Sequence, residues 1–177
     1  MKKLAALILF FLCFASLTFG ISKQDKVKGL LIERLSSFIT WPASESKNFN
    51  IAVYNDESLA KGYESLYKNH KRANTPIAIA SLSNGIDTKT LNNIDILFIK
   101  NATDKSLLKL LKELSKRPIL TISDDNNLIN KGVMINLSSQ GGKIQFIIDH
   151  SALNSANLKA SYRLLKLAKI INPVKEQ

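Results

Sequence analysis

The chain has 177 residues, an apolar fraction of 45% and a formal charge of +11. That length suits one domain of ordinary size, and that composition supports a buried core and excludes a disordered chain. The basic surplus leaves three classes of explanation, namely nucleic acid, an anionic membrane surface or plain solubility.

The N-terminus chooses among them. Lys2 and Lys3 precede an apolar run from Leu4 to Phe19, and Thr18 and Gly20 supply small residues at the −3 and −1 positions of a cleavage site. This is the pattern of a secretory signal. The run falls short of the roughly 20 residues that a spanning helix needs. Residues 1–20 are therefore expected to be a cleaved signal and residues 21–177 a single exported domain. Cys13, the only cysteine, leaves with the signal, so no disulfide or thiol chemistry is expected. Export argues against nucleic acid. The charge then reads as solubility ahead of attraction to anionic headgroups.

Along the mature chain, Val27, Leu30, Leu31, Leu35, Phe38 and Ile39 recur at helical spacing, and Pro42 after Trp41 ends that helix. Phe49–Tyr54 predicts a first strand. Asn55 or Asp56 caps a helix carrying Leu59, Tyr63, Leu66 and Tyr67. Pro76–Ala80 is a second strand, followed by a loop at Ser83, Asn84 and Gly85. Ile94–Ile99 is the nearly continuous apolar run of a strand covered on both faces. Thr103 or Asp104 caps a helix bearing Leu107, Leu108, Leu110, Leu111 and Leu114, whose apolar residues span more than one face. That helix is either deeply buried or buried in a homodimer. Pro118–Ile122 is a further strand. Val133–Leu137 and Lys143–Ile148 flank Ser139–Gly142 as a hairpin. A last helix is predicted over Asn157–Ile171, with Leu158, Tyr162, Leu165 and Ala168 on one face and Lys159, Arg163 and Lys166 on another. The alternation predicts a layered α/β fold with a mainly parallel sheet flanked by helices and a C-terminal antiparallel hairpin.

Few groups point to chemistry. No glycine cluster builds a phosphate-cradling loop, and no His/Cys group has zinc-ligand spacing. Lys100 and Asn101 stand where a phospho-receiver domain would need its Asp. Asp149, His150 and Ser151 contain the residue types of a hydrolytic triad, but adjacent residues do not converge on one atom. Asp149 or Ser151 reads instead as a helix cap. No cofactor, metal or catalytic residue is expected. Asp56, Asp124 and Asp125 lie beyond strand ends, where open α/β sheets bind ligands. They read first as turn and cap residues and second as a rim for a cation or polar ligand. Trp41 and Phe38 read as core packing at a helix end, or as an aromatic anchor for a partner. Lys159 and Arg163 read as a solvated stripe or as a partner contact.

Taken in order, several segments resemble the YfiR-like family. These are Arg34–Pro42, ending in an aromatic residue, spacers and Trp-Pro; the strands Asp95–Ile99 and Leu120–Asp124; and the C-terminal run Gly132–Leu137, Lys143–Asp149 and Ala156–Ile171. The resemblance implies a non-catalytic periplasmic regulator that is dimeric. It implies restraint of an inner-membrane diguanylate cyclase through the cyclase's periplasmic sensor part, and release by an outer-membrane lipoprotein. Less cyclic di-GMP then means less biofilm. The chain departs from the family pattern in lacking its cysteines and in carrying Phe146-Ile147-Ile148-Asp149 where relatives have Phe-Glu-Ile-Asn. It also has Ser161-Tyr162 in place of a serine pair. A second reading is a small-ligand sensor feeding a membrane kinase or receptor, with a pocket lined by Asp56, Asp124, Asp125 and Trp41.

Overall fold

The structure, a computed structural model, describes residues 21–44, 46–83, 90–100, 105–140 and 143–172. The expected signal segment with Cys13, the expected loop at Asn84 and Gly85, the cap candidates Thr103 and Asp104 and the expected turn at Gly141 and Gly142 lie outside these residues.

The elements run α1 (Lys23–Ser36), β1 (Ile39–Thr40), β2 (Phe49–Tyr54), α2 (Glu57–Tyr67), β3 (Lys71–Arg72), β4 (Thr75–Leu82), β5 (Ile96–Ile99) and α3 (Lys105–Leu114). They continue with β6 (Leu120–Ser123), β7 (Ile135–Gln140), β8 (Lys143–Asp149), α4 (His150–Ser155), β9 (Lys159–Ala160), α5 (Tyr162–Leu167) and β10 (Lys169–Ile171). One sheet has the order β10-β8-β7-β6-β5-β2-β4-β3, and β1 and β9 form a separate pair. Within the large sheet only β7–β8 and β3–β4 are antiparallel. The expected α/β architecture, with its parallel centre and C-terminal hairpin, is therefore the one observed.

The strand sequences explain the layering. All four residues of β5 are buried, so their alternating side chains feed two cores. Ile96 and Phe98 join Ile51, Val53, Leu120 and Ile122 beneath Ile32 and Leu35 of α1 and Leu59, Tyr63 and Tyr67 of α2. Leu97 and Ile99 join Ala52 and Tyr54 against Leu107, Leu110, Leu111 and Leu114 of α3. The apolar α3 is thus explained by burial against the sheet, with Leu108 left partly exposed. Each Val, Leu, Ile or Phe side chain fully buried here contributes about 1.5–3 kcal/mol.

Helices α1 and α2 approach closely because Gly29 and Gly62 have no side chain. A Cβ at Gly29 would meet Leu66 at 2.7 Å and Tyr63 at 2.9 Å, and one at Gly62 would meet Ile21. Two hydroxyls exploit the proximity. Tyr63 donates to the Asp25 carbonyl at 3.1 Å and Tyr67 to the Gly29 carbonyl at 2.5 Å. Burial raises the pKa of both phenols, so they remain donors.

Two helical expectations need correction. The first helix stops at Ser36, before Phe38 and Ile39. Ser36 and Ser37 turn their hydroxyls back onto the carbonyls of Glu33 and Arg34, the local competition that makes serine a poor helix interior. Ile39 then pairs with Ala160 and Thr40 with Lys159. The final helix is broken into β9, α5 and β10. Asn157 takes a left-handed φ of 57° after α4. Ser161 is extended and caps α5 through Leu164 N–H. The β-branched Ile170 and Ile171 join the sheet beside β8. Tyr162, expected to share a helical face with Leu158, Leu165 and Ala168, is exposed, whereas Leu158 is buried. Ser139 and Gln140, expected in the turn, extend β7 by pairing with Ile144 and Lys143.

Replacing Tyr67 by Phe removes one buried hydrogen bond, and the urea midpoint should fall by an amount equivalent to about 1 kcal/mol. Phe98→Ala, at the centre of the sheet, should cost about 3–5 kcal/mol by the same measurement.

Candidate functional site

The carboxyl ends of the central strands are the first place to look for a ligand. Strands β4 and β5 lie on opposite sides of β2, which makes the β2–β5 boundary a topological switch point. Beside it, the first turns of α1 reach the ends of β5 and β6. Ser22 caps α1 through Asp25 N–H and donates its own hydroxyl to the Asp25 carboxylate at 2.7 Å. Lys100, which follows β5, reaches the same carboxylate at 2.9 Å. Lys28 pairs with Asp124 beyond β6 at 2.5 Å, with only 19% and 8% of the two side chains exposed.

The three carboxylates singled out in the sequence are all engaged. Asp56 accepts from Leu59 N–H and caps α2. Asp124 holds Lys28. The Asp125 carboxylate accepts from the backbone and side-chain N–H groups of Asn127, and its carbonyl accepts from the Asn136 amide. One Asp124 oxygen and the Asn136 side-chain oxygen are buried with no hydrogen-bond donor. Among the described residues no group of three or more His, Cys, Asp or Glu side chains could hold a metal ion.

Burial pushes the Asp25 carboxyl upward, but the hydrogen bonds from Lys100 and Ser22 and the charges of Lys100 and Lys28 outweigh it and hold it below the ordinary range. A carboxyl depressed on folding stabilises the fold above its unfolded value, about 3.9. That contribution is lost as pH falls below this value through the folded one.

The amino ends form a second site. Asp95 ties three strands together. Its N–H donates to the Asn50 carbonyl at 2.9 Å, its carbonyl accepts from Leu120 N–H at 2.8 Å, and its carboxylate accepts from Asn50 N–H at 2.7 Å. Trp41 donates its ring N–H to the same Asp95 carbonyl at 3.3 Å. The Trp41 ring meets Phe49 edge-on at 5.3 Å, and the Arg72 guanidinium lies 4.5 Å from one ring centre and 4.6 Å from the other. Arg72 also donates to the carbonyls of Ser36 and Ile39. Trp41, Arg72 and Asp95 border an open pocket of about 360 Å3. Burial raises the Asp95 pKa despite the bond from Asn50 and the charge of Arg72.

The sequence-predicted residues therefore divide between two ends of the sheet. Phe38, Trp41 and Lys159 come together through the β1–β9 pair, and the Phe38 carbonyl accepts from Ser161 N–H at 2.8 Å. Arg163 follows one turn later in α5. Asp56, Asp124 and Asp125 lie at the opposite end, so a pocket shared by these carboxylates and Trp41 is not formed. The Asp149 triplet serves as a cap. Its carboxylate accepts from Ala152 N–H and from the Asn172 amide. Sequence reasoning missed Asp25, Lys28, Arg72, Asp95 and Lys100. Asp95 alone carried a signal, as the single carboxylate in an otherwise apolar strand.

These features define a three-layer α/β protein whose charged groups at the strand ends are turned inward. The sequence matches the YfiR/HmsC-like family over residues 25–169, and the chain belongs to that family. No individual curated protein matches it.

Lys28→Met should lower the unfolding free energy by about 3–5 kcal/mol, because it leaves the Asp124 carboxylate buried and unpaired. The double variant Lys28→Met/Asp124→Leu should recover most of that loss in urea melts. Asp95→Asn should stabilise the protein at neutral pH, where the wild-type carboxylate is ionised against its burial. A carboxyl raised on folding contributes most below its unfolded value and loses that contribution as pH rises through the folded one. The variant's advantage should therefore shrink toward acid in melts across pH 3–7.

Proposed function

We propose that this protein is a periplasmic regulator that inhibits an inner-membrane diguanylate cyclase by binding the cyclase's periplasmic sensor part, and so lowers cyclic di-GMP and biofilm formation. The observation that carries this reading is the family match over residues 25–169. In the same reading residues 1–20 are a removable export signal, and residues 21–177 form the working domain, a homodimer acting by contact and without catalysis. Ile21 packs at Gly62 and Ser22 caps α1, which supports a structural role for the chain from residue 21 onward. No helix among the described residues is long and apolar enough to cross a membrane. An outer-membrane lipoprotein that sequesters the protein would release the cyclase.

Inhibition by contact requires differential affinity. The regulator shifts the cyclase toward its inactive state only by the ratio of its affinities for the two states. The surface we assign to that contact surrounds the β1–β9 pair, where Phe38 and Trp41 are half-buried and Lys159 and Arg163 are exposed. Asp56 and Asp125 act as cap and turn residues and Asp124 is paired with Lys28, which favours this end of the molecule. These local roles weaken the support for a small-ligand sensor built on that rim.

Deleting the gene in a host that expresses the cognate cyclase should raise cellular cyclic di-GMP, measured by mass spectrometry. Unchanged levels would contradict the reading.

A further inference from the structure

We propose that the exposed face of α5 is a docking surface for anionic lipid, so that the protein works from a membrane surface. Leu164 anchors α5 in the core at 2% exposure, whereas Tyr162 and Leu167 are 70% and 74% exposed. With Arg163 and Lys166, also exposed, these residues occupy positions i, i+1, i+4 and i+5 of one helix and therefore share a face. The Lys166 ammonium lies 4.6 Å from the Tyr162 ring centre. Beside this face Lys169 and Ile170 are exposed on β10, which among the described residues is paired with β8 alone.

The charged side chains of the segment that carries α5 are of one sign. From His150 to Asn172 the sequence has no Asp or Glu, and it has Lys159, Arg163, Lys166 and Lys169. The last carboxylate before that stretch, Asp149, is buried and engaged as a cap. A protein interface concentrates its apolar residues at the centre and its charges at the rim. Here two cations lie between two large apolar side chains on one exposed helical face. That is the arrangement suited to a lipid interface, where Tyr and Leu enter the headgroup boundary and Lys and Arg meet the phosphates. The basic surplus of the chain thus has a local use beyond solubility. The proposal deepens the reading of Arg163 as a contact residue but does not need the cyclase.

The test is co-sedimentation of the purified, processed protein with vesicles. Phosphatidylglycerol-containing vesicles should bind it, phosphatidylcholine vesicles should not, and added NaCl should release it. Arg163→Glu/Lys166→Glu should weaken binding at least about tenfold. Tyr162→Ser/Leu167→Ser should also weaken it while leaving the melting temperature unchanged. Equal binding to phosphatidylcholine, no binding to either vesicle, or wild-type binding by both double variants would overturn the proposal. No cyclase is present in this assay, so its failure and that of the cyclic di-GMP experiment are separate events.

Discussion

The constraint on which the structure depends is the docking of α1 across the carboxyl ends of β5 and β6. Two lysine–aspartate pairs hold it there, Asp25 with Lys100 and Lys28 with Asp124. Two tyrosine hydroxyls from α2 hold its backbone. Each pair crosses between the helix and a strand end, so neither can be satisfied if the helix shifts. Buried ion pairs add little net stability over apolar packing, but losing one partner is costly. Their effect is to fix where α1 sits, with Gly29 and Gly62 allowing α2 to close over it.

This docking decides which surfaces remain for function. In an open α/β sheet the switch point is the usual ligand crevice. Here the protein's own Asp25 and Lys100 meet beside it, at the end of β5. Two of the surfaces left for other molecules lie at the amino ends and along the C-terminal segment. Trp41, Phe49 and Arg72 form a stacked group over Asp95 at one of these places. Helix α5 presents exposed cations and apolar side chains at the other. Under the proposed reading, these are the two places where contact with a target would fall.

Much of the fold was legible in the sequence, because strands buried on both faces announce themselves as apolar runs. Phe49–Tyr54, Ile94–Ile99 and Pro118–Ile122 were located to within two residues by that signal alone. The cap roles of Asp56 and Asp149 were legible too, since they rest on local geometry. The failures came where local patterns compete. Leu158, Tyr162, Leu165 and Ala168 have helical spacing, yet Asn157 and Ser161 break the backbone and Ile170 and Ile171 are drawn to the sheet. The site was less legible than the fold. Lys28 and Asp124 are separated by 96 positions and Lys100 and Asp25 by 75, and nothing in the local sequence of either partner marks the other. Arg72, in a polar stretch, carried no hint that it would stack on Trp41.

The most direct test is native-state hydrogen exchange followed by mass spectrometry on the folded protein. If the ion pairs and tyrosine bonds lock α1 to the sheet, the backbone amides from Lys26 to Leu35 should exchange only through global unfolding, with the same denaturant dependence as those of β5 and β6. Exchange of the α1 amides through a low-energy local opening, while the central strands stay protected, would show that the helix is free to leave the switch-point crevice and would contradict the account.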